Sequence, residues 1–313
     1  MTKEPIRIGT RGSRLALVQA ETVRGMLEAH HADFRDSDAI EMIVIKTTGD
    51  RVTDRPLAEV GGKGLFAKEL DAALIANEID IAVHSLKDVE TELPEGLCIG
   101  CVLSRADARD ALVARDAARL NDLPVGASVG TASLRRAAQA LAARPDLKVS
   151  LLRGNVPTRL EKIREGLFDA TFLACAGLDR LGFDLAAVGA TPMPPDIMVP
   201  AVGQGAVCVV HRADDHRAVA ALGPLQDPAA AATVRAERAM LRCLDGSCRT
   251  PIAGLASLDG STLVLDGLIA APDGSALYRA QRTGPADDPD GLGAAVAEAL
   301  IADAGSGFLD RIR

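Results

Sequence analysis

Between Ala111 and Ala174 the chain reads ALVA (Ala111–Ala114), SLRRAAQALAAR (Ser133–Arg144), LKVSLL (Leu147–Leu152), TRLEKIRE (Thr158–Glu165) and ATFLA (Ala170–Ala174). The short apolar runs have the length of buried strands, and the longer segments repeat apolar residues at helical spacing. Strands alternating with helices predict a largely parallel sheet covered on both faces. The same rhythm stands upstream. Ile6–Thr10 reads as a strand, and Ser13 can cap a helix along which Ala16, Ala20, Val23 and Leu27 recur. Glu41–Thr47 reads as a strand, Leu65–Asn77 as a helix and Ile79–Val83 as a strand.

The Pro-rich run TPMPPDIMVP (Thr191–Pro200) breaks this order, and a strand over Ala206–His211 follows it. From Asp227 a long Ala-rich helix leads into three β-like runs, broken at Asp259-Gly260 and Asp273-Gly274, and then a last helix. Asp-Gly pairs are hairpin signals, so this end should form a small antiparallel sheet with helices.

Composition narrows the function. The 313 residues suit two or three domains, and 48% apolar content is ample for their cores. MTKEPIRIGT at the N-terminus has no apolar run of the secretory kind, and no stretch approaches a membrane span, so a cytoplasmic protein is expected. A net charge of −8 with no Trp and one Tyr argues against a nucleic-acid partner. Cys98-x-x-Cys101 lies in the apolar run LCIGCVL with no second CxxC or HxxxH, and reads as buried strand rather than half a zinc site. No metal is expected.

Four segments place basic residues where a strand hands over to a helix: GTRGSR (Gly9–Arg14), VGGKGLFAK (Val60–Lys68), GTASLRR (Gly130–Arg136) and LRGNVPTR (Leu152–Arg159). Helix starts offer free N–H groups, Gly admits an anion to the backbone, and Arg matches a carboxylate or phosphate with a fork of donors. One such segment is ordinary; four in an acidic chain point to a ligand with several anionic groups. Phosphate motifs fail. Walker A needs Gly where Leu57 stands and Ser or Thr where Gly64 stands, and Gly203-Gln204-Gly205 does not continue as GxGxxG. Gly126–Gly130 matches G-x-S-x-G, but Ser128 falls inside a strand rather than at an elbow.

DIAVHSLKDV (Asp80–Val89) ends a strand at Val83, leaving His84, Ser85, Lys87 and Asp88 at the edge where open α/β sheets bind ligands. Lys87 beside Asp88 reads either as a surface ion pair, or as an anion holder next to a carboxylate that stabilises a cation or moves a proton. In LRCLDGSCRTPIAG (Leu241–Gly254), Asp245-Gly246-Ser247 ends a helix and leaves Cys248 in a loop beside Arg249. A thiol there has more thiolate character than the five cysteines in apolar runs or a helix.

Together these segments resemble the porphobilinogen deaminase (hydroxymethylbilane synthase) family. The resemblance runs from RIGTRGSRLAL through GGKGLFAKEL, DIAVHSLKDV, VGTASLRR, LRGNVPTRL, LACAGLDRLG and VPAVGQGAV to AERAMLRCLDGSC, in one order over nearly the whole chain. HSLKDV, SLRRAAQ and LRGNVPTRL are its most specific parts.

The resemblance implies two α/β domains like type-II periplasmic binding proteins and a smaller C-terminal α/β domain with an antiparallel sheet. It implies boundaries at residues 1–103 with 203–222, 104–202 and 223–313, with the chain crossing near Ser104–Arg105 and Pro200–Val202. It implies a monomer whose covalent cofactor, a dipyrromethane, is joined to Cys248 by a thioether. Four porphobilinogen molecules would be added head to tail to that primer, with loss of ammonia, to give hydroxymethylbilane for tetrapyrrole biosynthesis. Asp88 would be the catalytic carboxylate, since the reaction places positive charge on a pyrrole ring. Lys63, Phe66, Ser85, Lys87, Asp88, Thr131, Ser133, Arg135 and Arg136 would meet the cofactor. Arg11, Ser13, Arg153, Arg159, Arg180 and Gln204 would meet the substrate and growing chain. Two departures stand out: Glu59 where many relatives have Lys, and Ser247 in place of the second Gly of Gly-Gly-Cys. The rival readings are a non-catalytic small-anion binding protein of the same two-domain architecture, which needs neither Cys248 nor Asp88, and a phosphate-dependent enzyme, which lacks an intact motif.

Overall fold

The computed structural model describes residues 4–36, 38–51, 64–244, 250–305 and 307–312. Lys63, Glu59, Ser247 and Cys248 lie outside the described residues.

Strand β1 (Ile6–Arg11) leads into helix α1 (Arg14–His30), and β2 (Ile40–Ile45), the short α2 (Thr48–Arg51), α3 (Lys68–Ile75), β3 (Ile81–Ser85) and β4 (Leu97–Val102) follow. After β5 (Asp110–Ala114) come β6 (Ser128–Gly130), α4 (Leu134–Ala143), β7 (Lys148–Ser150), α5 (Val156–Arg164), β8 (Ala170–Ala174), α6 (Cys175–Arg180) and β9 (Ala190–Pro192). The chain continues through β10 (Val207–Arg212), α7 (His216–Leu222) and α8 (Pro228–Cys243). It ends in β11 (Ile252–Asp259), β12 (Thr262–Ala270), β13 (Leu277–Pro285), α9 (Pro289–Ala304) and α10 (Phe308–Ile312).

Two compact units result. Of the described residues, the first takes those through Arg105 and the return at Ala206–Ala231; the second takes Ala106–Gly205 and Ala232 onward. The first unit holds a five-stranded sheet in the order β2-β1-β3-β10-β4. The predicted stripe of α1 covers it: Ala16, Ala20, Val23 and Leu27 are buried, and Ser13 Oγ accepts the Ala16 N–H at 3.2 Å to cap the helix. The second unit holds the five-stranded sheet β7-β6-β8-β5-β9 and the antiparallel sheet β11-β12-β13. The first hairpin of the small sheet turns at the predicted pair, where Asp259 is in register with Thr262 and Gly260 has φ 57°.

The expectation of largely parallel sheets is corrected. β1 is parallel to β2 and β3, and β6 is parallel to β7 and β8. β10, however, runs antiparallel to β3 and β4, and β5 runs antiparallel to β8 and β9. Both are strands on which the chain enters one unit after leaving the other, so no crossover helix sets their direction. Boundaries shift as well. α3 starts at Lys68, after a turn at 65–67, and stops before Asn77, which takes φ 57°. β3 runs two residues past Val83, to Ser85.

The small sheet of the second unit packs on α4. Ala138 of α4 shares a buried cluster with Val199, Ala253, Leu268 and Ala270. Gly274, at the second hairpin, lies so close to α4 that a Cβ there would sit 2.5 Å from the Ala142 nitrogen.

Candidate active site

In the first unit the parallel strands β1 and β3 end side by side. Ile8 is in register with Ile81 and Gly9 with Ala82, so Arg11 comes level with His84. The Arg11 guanidinium donates Nη2 to Asp50 Oδ1 at 2.5 Å and Nε to Asp50 Oδ2 at 3.2 Å. Its Nη1 is 3.7 Å from Asp88 Oδ2, and its carbon lies 4.1 Å from the centre of the Phe66 ring. Burial would raise the Asp50 carboxyl, but hydrogen bonds from Arg11 and Thr47 outweigh it and hold the group below its ordinary range.

Beyond β3 the chain makes one 3-10 turn over Leu86–Asp88. Leu86 is buried, and its N–H donates to the Ala206 carbonyl at 3.0 Å. That anchor presents Lys87 and Asp88 on the outer side of the turn. The Asp88 side chain keeps 29% of its surface and faces Arg11, a cation nearly eighty residues away in the sequence. Ser85 is tied to α1, because Gln19 Nε2 donates to Ser85 Oγ at 2.9 Å. His84 is buried; desolvation, and then the charge of Arg11, pull its imidazole down to about 4. Its Nε2 has no hydrogen-bond partner among the described residues.

In the second unit β6 ends at Gly130, where a Cβ would sit 2.7 Å from Leu152, so glycine is required by close packing. Thr131 Oγ1 accepts the Ser133 N–H at 3.1 Å, and Ser133 caps α4. After Leu134, the side chains of Arg135 and Arg136 turn inward and are both about 6% exposed. Arg135 Nη1 donates to Asp110 Oδ2 at 2.7 Å and to the Val199 carbonyl at 2.8 Å. Arg136 donates Nε and Nη2 to Asp110 Oδ1 at 3.0 and 2.7 Å, and Nη1 to the Phe172 carbonyl at 2.8 Å. Burial alone would raise Asp110; the two guanidiniums outweigh it and hold its carboxyl far below the carboxylate range.

Arg159, on α5, donates Nε to the Gly154 carbonyl at 2.8 Å. Burial, then repulsion from Arg136 and Arg153, pull it down to about 10. Three guanidinium charges that depress one of their own number make a place where an anion is favoured.

Arg180 and Gln204 are engaged with the backbone. Arg180 Nη2 donates to the Gly205 carbonyl at 2.7 Å, and Gln204 Nε2 donates to the Ala108 carbonyl at 2.7 Å and to Asp110 Oδ1 at 3.1 Å. Ser13 and Ser133 serve as helix caps. Sequence reasoning missed Asp50, Gln19 and Asp110, whose partners lie far along the chain, and Glu237. The last is fully buried and accepts the N–H groups of Gly203 and Ala256, each at 2.7 Å.

The thiols divide as their settings require. Burial pushes Cys101 up to about 12 and Cys175 up to about 11. Cys98 lies 3.4 Å from His211 Nε2, and Cys243 is exposed at the end of α8.

The folds and their edge residues define a class: an α/β protein with arginines gathered where its strands give way to helices. Comparison with known proteins narrows it. Residues 6–220 match the model described as "Porphobilinogen deaminase, dipyromethane cofactor binding domain", and residues 231–302 match "Porphobilinogen deaminase, C-terminal domain". The chain is 54% identical over 308 residues to the porphobilinogen deaminase of Paracoccus denitrificans, covering 98% of this chain and 97% of that one. It is 48% identical to the chloroplastic porphobilinogen deaminase of Oryza sativa, covering 98% and 86%. Among solved structures, the periplasmic aliphatic sulphonate binding protein SsuA of Escherichia coli is similar at 16% identity and a TM-score of 0.42, over 77% of this chain and 70% of that one. The chain belongs to the porphobilinogen deaminase family, a family of transferases.

Proposed function

We propose that this chain condenses four porphobilinogen molecules head to tail on a dipyrromethane carried by Cys248, releasing ammonia at each addition, and that the bond to the primer is then broken with uptake of water to free hydroxymethylbilane. The observation that carries the reading is the grouping of Arg153 and Arg159 with Arg136, in which the half-buried Arg159 is pulled down to about 10, first by desolvation and then by the charges of the other two. Such a cluster gains free energy from an acidic ligand, and porphobilinogen and its oligomers carry an acetate and a propionate on every ring. That charge pattern fits the residues present. A dipyrromethane, when bound, supplies the carbon to which the first unit is joined.

The chain's own residues do the rest. Arg153, Arg159 and Arg180 hold side-chain carboxylates of the substrate and growing chain, with Arg11, Ser13 and Gln204. Ser133, Arg135 and Arg136 hold those of the dipyrromethane, with Lys63, Ser85, Lys87 and Thr131, and Phe66 meets its rings. Asp88 keeps a negative charge at the pyrrole nitrogens. Breaking the aminomethyl C–N bond of porphobilinogen leaves positive charge on its ring, and forming the new C–C bond puts charge on the attacking ring. A fixed carboxylate lowers the free energy of both states, and a preorganised group of this kind is worth ~3 kcal/mol. The reading includes a monomer in the cytoplasm.

Intact mass tests it. The parent protein should carry a mass increment of two pyrrole units, Cys243→Ser should keep it, and Cys248→Ser should show the bare polypeptide mass. An increment that survives Cys248→Ser moves the attachment elsewhere, and a parent without any increment favours the anion-binding alternative.

A further inference from the structure

Asp110 is the only acidic group in the described structure to which both Arg135 and Arg136 donate. It starts β5, the antiparallel strand, and is paired in register with Ala174 at the end of β8. Strand reversal thus delivers its side chain to the edge where β6 and β8 finish. The carboxylate is fully buried and accepts from Arg135 Nη1, Arg136 Nε, Arg136 Nη2 and Gln204 Nε2. Three of those donors meet Oδ1 and one meets Oδ2. Two guanidinium charges face one carboxylate charge, so the group retains one net positive charge. Gln204 also lies in the turn Gly203–Gly205, after which the chain leaves the second unit. Glu237 accepts from Gly203 and Arg180 donates to Gly205, so each residue of that turn is held by a buried or half-buried polar side chain.

Resting on the proposed role of Arg135 and Arg136 toward ligand carboxylates, we infer that Asp110 is a positioning residue. It sets the two guanidiniums before the ligand arrives, ties them to the Gly203–Gly205 turn, and competes with the ligand for their charge. A built-in competitor weakens the attraction of any stray anion while keeping the donors ordered, so the site favours a ligand that engages several cations at once. A purely structural role for Asp110 predicts lost stability and nothing else.

The full chain carrying Cys248→Ser, with its mass verified, is compared with the same chain carrying Asp110→Asn or Asp110→Glu. Sulfate is the probe, titrated against chloride at matched ionic strength, and the thermal midpoint is the readout. Asp110→Asn should bind sulfate at least ~10-fold more tightly than its parent, because one negative charge within a few ångströms has gone. Asp110→Glu should return the parent response, and Arg136→Ala added to Asp110→Asn should remove the gain. Equal sulfate dependence in the Asn variant and its parent overturns the inference. Should the Asn variant fail to fold in chloride, recovery of its native circular dichroism in sulfate supports the inference, and failure in both salts overturns it. Porphobilinogen turnover and cofactor mass are measured separately on the unmodified chain. Their failure would remove the proposed substrate and leave the sulfate result standing.

Discussion

Arg11 and Arg136 each sit where a strand gives way to a helix, and each donates to an aspartate, yet their surroundings differ. Arg11 keeps 19% of its side-chain surface, and its partners Asp50 and Asp88 keep 28% and 29%. Arg136 keeps 7%, and Asp110 keeps none. In the first region water competes for every charge, and Arg11 shares itself between two carboxylates. In the second the desolvation of both ions has already been met by folding, and the donors are fixed before any ligand arrives. The contrast separates two tasks. Under the proposed function, the carboxylate that must respond to charge appearing on a substrate is kept half-exposed, whereas the cations that recognise charge already present are locked in place.

The largest effect should come from breaking the locked side. Arg136→Ala leaves Asp110 short of two donors, and opening a buried pair costs about 3–5 kcal/mol. Arg11→Ala should stay within about 1 kcal/mol, as partly exposed ion pairs do. Urea unfolding of both variants reads the difference, and equal losses would erase the contrast. Chemistry should invert the order. Asp88→Asn is expected to lower turnover by ~100-fold or more while leaving the unfolding midpoint near that of the parent. Asp88→Glu, which keeps the charge, should retain more activity. Both are best followed as single additions on enzyme loaded with preassembled cofactor. Parent-like rates for the Asn variant would return Asp88 to the status of a surface charge.

The smallest effect sharpens the picture of the exposed side. His84 is held neutral beside Arg11, with its imidazole down at about 4 against an ordinary 6.5. Because the folded value is depressed, the unfolded chain takes up the proton first. Stability from His84 is present above about 6.5 and is lost as the pH falls toward about 4. Between pH 7 and 5.5 the loss should be about 1 kcal/mol. Asp71, raised to about 6 by burial and the charge of Glu90, shifts stability the opposite way in that window. The test is therefore the difference between the parent and His84→Gln, and parallel pH curves would show that His84 takes no part.

Much of this was legible in the sequence, and the exceptions share a cause. The α1 stripe, the Ser13 cap and the Asp259-Gly260 hairpin depend on neighbours within a few residues, and the structure contains each as expected. The directions of β5 and β10 depend on where the chain re-enters a sheet, which no local pattern records. Asp110 stands just before the strand read over Ala111–Ala114 and drew no reading, because its partners lie 25, 26 and 94 residues away. Asp50 pairs with Arg11 across 39 residues and was invisible for the same reason. The shortened α3 reflects backbone geometry at Asn77 that composition does not encode. The Arg cluster was legible as a set of basic segments; that two of its members spend donors on a buried acid was not.

The packing of the small sheet on α4 has a consequence for cooperativity. Ala138, two positions beyond Arg136, is covered by Ala253, Leu268 and Ala270, and Gly274 lies against the end of the same helix. Local opening of β12 would wet the back of α4 and loosen the frame on which the guanidiniums are mounted. Amide hydrogens in α4 and in β12 should therefore exchange with solvent as one block. A chain shortened from its C-terminal end would lose order at the anion site long before the cut reached it.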